Sequence, residues 1–249
     1  MSIRLFSVFL CLTFSMPVFS QRQTTTNLNA WYMYFGDHKI SDQFGIHLEA
    51  QWRRNGLVNT PMQLLLRPGI NYTFSSTVFA TIGYGFIETH PYGDFAVPAS
   101  FPEHRIWEQL QFKNQQGIFE WISRFRLEQR FSKLPVMSDG TFKPGNAVYT
   151  NRFRLFNRFS IPFNGRTITD HSLYVSVYDE IMINFGNNVG NNIFDQNRAY
   201  MAVGYKYPKL GKIELGYLHQ QIFKTDGIKV ENNNTIQLSL ISNIPFYNQ

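Results

Sequence analysis

The 249-residue chain has one cysteine, Cys11, which rules out a disulfide framework and any cysteine-based metal site. Beyond residue 20 it has no apolar run near the roughly eighteen residues that a membrane-spanning helix needs. Charge is modest and interspersed, with 23 Lys and Arg against 17 Asp and Glu, so no basic arm for nucleic acid stands out. Phosphate-loop and dinucleotide fingerprints are missing. No proline- or serine-rich linker divides the chain, and residues 21–249 read as one domain.

The histidines add little. His38, His47, His90, His104, His171 and His219 lie at least nine residues apart, and none has a serine two positions away. On a strand, that spacing would place a base and a nucleophile on one face. His47 with Glu49, and Glu88 with His90, share a face but offer only two ligands each. No metal, cofactor or catalytic residue is expected, although a triad assembled from distant residues stays open.

Residues 1–20 form a separate segment. Arg4 supplies a positive start, Leu5–Phe14 an apolar stretch, and Val18-Phe19-Ser20 a small-residue cleavage site before Gln21. This is the pattern of a secretory signal peptide, and Cys11 lies inside it. The exported part then carries no thiol and a net charge of +5.

What the chain has in abundance is alternation. In Phe44–Arg53, the residues Phe44, Ile46, Leu48, Ala50 and Trp52 point one way, and Gly45, His47, Glu49, Gln51 and Arg53 the other. Ten such residues, tilted, cross the hydrocarbon of a bilayer. Eleven segments of this kind can be read: 29–37, 43–54, 62–74, 77–89, 104–113, 117–132, 148–161, 170–185, 196–207, 211–223 and 232–246. Aromatic residues recur near their ends, as the two girdles of a membrane barrel would require. The pattern predicts an all-β fold: a single antiparallel transmembrane β-barrel of 10–12 strands, with short periplasmic turns and longer external loops.

Short turns fall at Ser75-Ser76, Lys113–Gln116, Pro162–Arg166 and Pro208–Gly211; the longer connections lie between them. If the long loops are external, the last strand ends in the periplasm and 29–37 runs inward, starting on the outer side. An even-stranded barrel would need an extra strand before Asn29 (twelve in all, the count favoured) or would leave 29–37 out (ten). Pro68, which lacks a ladder donor, predicts a bulge near Arg67-Pro68-Gly69.

A charge on the lipid face near the midplane costs about 2–4 kcal/mol, so the charged faces must be luminal. Segment 117–132 sets Phe119, Trp121, Phe125, Leu127 and Phe131 against Glu120, Arg124, Arg126, Glu128 and Arg130. Segment 148–161 sets Phe153, Leu155, Phe159 and Ile161 against Arg152, Arg154 and Arg158. Glu108 and Asp179 fall among apolar neighbours and call for a bulge or a position at the membrane edge. Pairing through the loops brings Glu128 to Arg152 or Arg154, and Glu180 towards Arg152 and Arg198. The candidate cluster is therefore Arg124, Arg126, Glu128, Arg130, Arg152, Arg154, Arg158, Glu180 and Arg198. It either fills and shuts a narrow barrel or forms a constriction that favours anions.

Five strings resemble an uncharacterised family of Gram-negative outer-membrane β-barrels, domain of unknown function 2490. They are Asn29–Gly36, Phe101–Gln109, Arg124–Arg130, Tyr178–Glu180 and Asn192–Arg198. The resemblance spans the chain after the signal segment. It implies a signal peptide, a barrel and a cell outer-membrane address, and it implies no activity. The expected partners are outer-membrane lipid and lipopolysaccharide, the barrel-assembly machinery during biogenesis, and no nucleic acid. The expected role is a closed or narrowly permeable barrel; the alternative is an enzyme that modifies lipid A or phospholipid.

Overall fold

A computed structural model describes residues 22–247, so the expected signal peptide and Cys11 lie outside the described residues. All assigned elements are strands. The first six are β1 (Gln23–Lys39), β2 (Phe44–Asn55), β3 (Thr60–Thr73), β4 (Val78–Thr89), β5 (Phe101–Gln116) and β6 (Phe119–Ser132). A small hairpin follows, β7 (Pro135–Ser138) with β8 (Thr141–Pro144), and stands apart from the main sheet. Then come β9 (Val148–Pro162), β10 (Leu173–Phe185), β11 (Phe194–Tyr207), β12 (Gly211–Phe223) and β13 (Lys229–Ser242).

Eleven strands, all but the hairpin, close into one barrel. They match the eleven alternating segments, and the count lies inside the expected range without being even. The reason is a single parallel seam: β1 pairs with β13 from Gln23↔Lys229 to Gly36↔Ser242, while every other wall pair is antiparallel. Strands that run alternately up and down put the first and last in the same direction whenever their number is odd. No strand before Asn29 is needed, because β1 itself begins seven residues upstream of the neighbours it shares with β2.

Two local expectations are corrected. No bulge forms at Pro68: Leu66↔Phe86 and Gly69↔Gly83 keep one register, and only the pairs at Arg67 and Pro68 are missing. Proline drops a ladder bond there without inserting a residue. Register shifts fall instead at Arg53/Arg54 and Met182/Ile183, where Met62 and Asp195 are the extra residues, both buried. The β9–β10 connection covers residues 163–172, longer than a tight turn at Pro162–Arg166.

Outward faces are apolar: Ile70, Ile82, Ile106, Phe125, Val203 and Leu215 are all exposed. Aromatic pairs mark both strand ends, with Phe44–Tyr72 and Trp121–Phe159 near the short-turn rim and Phe131–Tyr149 and Phe194–Phe223 near the long-loop rim. Glu108 and Asp179 do face outward, with no register shift at either. Neighbouring amides answer each carboxylate: Gln129 Nε2 donates to Glu108 at 3.2 Å, and Asn197 Nδ2 to Asp179 at 3.0 Å. Inside, one wall is apolar, with Trp31, Met33, Met62, Tyr200, Ala202 and Leu218 in contact. Trp107, fully buried, fits because a Cβ at Gly83 would lie 2.5 Å from its ring.

Candidate functional site

Inward residues fall at every second position, so β6 and β9 turn all their arginines to the interior. The register sets Glu128 opposite Arg152 and Arg126 opposite Arg154. Facing guanidiniums repel, and carboxylates from neighbouring strands offset this.

Glu128 is wholly buried and is the hub. It accepts from Arg152 Nε at 2.9 Å and Nη2 at 2.5 Å, and from Arg154 Nη1 at 2.8 Å. Arg67 Nη2 and Arg105 Nη1 each lie 3.5 Å from it. Glu180 takes Arg154 Nη2 at 2.7 Å and Arg124 Nη2 at 2.9 Å, with Arg198 Nη1 at 3.5 Å. Glu103 accepts two parallel bonds from Arg130, at 2.9 and 2.8 Å, and also binds Arg105 and Ser132. Arg126 donates to Gln109 Oε1 at 3.0 and 2.7 Å and lies 3.7 Å from Glu49. Arg158 pairs with Glu214, which also takes the Tyr174 hydroxyl at 2.6 Å.

All nine candidate residues thus point inward. The pairing expected of Glu128 is found, as is that of Glu180 with Arg198. Glu180 meets Arg154 in place of Arg152, whose Nη1 turns to Asp195 Oδ2 at 2.7 Å. That choice follows from the bulge at Asp195, which carries its carboxylate inward. Glu49, Arg67, Glu103, Arg105 and Asp195 belong to the same network, Glu214 forms a separate cluster with Arg158 and Tyr174, and none of the six was in the sequence cluster. Collecting the inward face of every strand would have found all of them except Asp195.

Above the charges, the loop after β4 folds over the long-loop mouth. Tyr92 packs on the Trp31 cluster and donates to Glu231 Oε2 at 2.9 Å. Burial and that adjacent carboxylate hold the Tyr92 phenol above its usual range, which keeps it a donor. Thr25 Oγ1 donates to Asp94 Oδ2 at 2.5 Å and ties the loop to β1.

Below the charges lies a cavity of about 840 Å³. Glu49, Arg126, Arg154 and Glu180 bound its inner end, and Lys39, Asp170, Lys209 and Pro245 line it at the short-turn rim. His47 stands on its wall. The Asp37 carboxylate is 2.8 Å from Nδ1, and Nε2, 3.5 Å from Glu49, has no hydrogen-bond partner. A separate histidine–serine contact, His90 Nδ1 to Ser100 Oγ at 2.8 Å, is exposed in the long loop. Among the described residues no group of three or more His, Cys, Asp or Glu is placed to hold a metal ion.

A family model described as a protein of unknown function (DUF2490) matches residues 28–232. No curated protein and no solved structure matches the chain. The matched span runs from β1 into β13 and takes in every hub of the charged network. The chain belongs to the DUF2490 family of proteins of unknown function.

Proposed function

We propose that this protein is an integral outer-membrane barrel whose lumen is shut in its outer half, leaving a vestibule open to the periplasm. The observation that carries this reading is Glu128, with no exposed surface and four arginines around it. Together with Tyr92 and the loop above, that layer fills the section where a pore would have to run. Eleven strands enclose a lumen that side chains can fill. The apolar outward faces suit acyl chains, so outer-membrane lipid and lipopolysaccharide would surround the wall. Export by a cleaved signal peptide and insertion by the barrel-assembly machinery belong to the same reading.

Planar-bilayer recordings of the refolded barrel test it. The wild type should show no porin-like steps. The double variant Glu128→Gln/Glu180→Gln should open an anion-selective path, because the arginines would then lack their counter-charges. Steady anion-selective conductance in the wild type, weakened by Arg154→Ala, would instead mean a narrow anion channel and overturn the closed reading.

A further inference from the structure

We propose that the vestibule binds a single-chain anionic amphiphile, such as a fatty acid or an alkyl phosphate, with its headgroup held at the inner end. This goes beyond the closed-barrel reading and does not depend on it, since a conducting barrel could carry the same site.

The charge argument starts at Glu180. One carboxylate serves three guanidiniums, those of Arg124, Arg154 and Arg198, and all four residues line the cavity. The other acids nearby are already engaged. Asp37 takes His47 and Asn71, Glu49 takes Arg67, and Glu214 takes Arg158 and Tyr174. Arg124 Nε is buried with no hydrogen-bond partner. Its guanidinium lies 4.4 Å from the Phe156 ring centroid, and Arg124 sits opposite Phe156 in the register, between Arg154 and Arg158 of the same face. At the mouth, Lys39 and Lys209 make no ion pair among the described residues. The donors left over are cationic, so the complementary headgroup is an anion.

The shape argument supplies the rest. Trp31, Met33 and Phe35 run down β1 along the cavity, and Ile241 and Ile244 continue the apolar surface to the rim. That strip, with Phe79, Ile122 and Ile168 on other parts of the wall, suits a hydrocarbon chain. The volume, about 840 Å³, lies within the roughly 300–1,000 Å³ usual for ligand sites.

Calorimetry on the protein in dodecyl maltoside tests the assignment, with laurate, dodecyl phosphate, dodecanol and inorganic phosphate as probes. Laurate and dodecyl phosphate should bind, with dodecanol and inorganic phosphate each at least about tenfold weaker, a difference of about 1.4 kcal/mol. Arg124→Gln should weaken both anionic amphiphiles about tenfold or more. That change leaves Glu180 paired with Arg154 and Arg198, and an unchanged thermal transition would show the variant is folded. Phe35→Ser gives the second arm: it should weaken laurate while leaving the weak phosphate signal unmoved. Dodecanol binding as tightly as laurate would remove the role of charge. Inorganic phosphate binding as tightly as dodecyl phosphate would remove the apolar wall. Either result, or equal laurate affinity in folded Arg124→Gln, overturns the proposal.

Discussion

At the residue scale, the interior depends on carboxylates that are few and shared. Glu128 cannot lose its charge cheaply, because four arginines would be left facing one another without it. Breaking a buried charge cluster by removing one member costs about 3–5 kcal/mol. Glu128→Gln should therefore lower the unfolding free energy of the refolded barrel by an amount in that range, read from urea titrations followed by tryptophan fluorescence. Arg130→Gln should cost less, since Glu103 keeps Arg105 and Ser132. Alternation in the sequence was enough to place Arg124 through Arg158 on the inner face. It could not say that Arg152 would choose Asp195 over Glu180, because that depends on a one-residue bulge with no signal in local composition. Pro68 misled for a related reason: the residue that breaks the ladder bond is visible, but whether the strand inserts a residue or drops a pair is decided by its neighbours.

At the scale of the elements, the strands and the barrel were legible and the seam that closes it was not. Each segment shows its period of two, and the loop lengths fix the direction of β1. Nothing in β1 or β13 announces that the two lie side by side in parallel, since the pairing joins the two ends of the barrel and uses backbone groups common to any residue. The seam makes a direct prediction. Ala30 and Ile236 are register partners, and Cα atoms on adjacent strands lie within disulfide reach. Ala30→Cys with Ile236→Cys should cross-link under mild oxidation, seen as a shift in migration that reductant reverses. Ala30→Cys with Leu240→Cys, four residues away along β13, should not. A twelfth strand between β1 and β13 would abolish the first cross-link.

At the scale of the whole molecule, the outer and inner surfaces reverse the usual placement of oil and charge. Apolar side chains cover the outside, and arginines with glutamates fill much of the core beside one apolar wall. That inversion makes sense for a cylinder set in lipid, and it was readable from the sequence because one segment, Phe119–Ser132, carries both faces in full. The vestibule was not readable, because it is built from side chains on strands far apart in sequence, from Trp31 to Ile244.

The most direct measurement is spin-label accessibility along β6 after reconstitution into lipid vesicles. Nitroxides at Phe125 and Leu127 should collide readily with oxygen and hardly at all with a water-soluble nickel chelate. A label at Gly117, in the β5–β6 turn with open space around it, should show the opposite preference. Labels at Phe125 and Leu127 that meet the nickel chelate as freely as the Gly117 label would contradict the account.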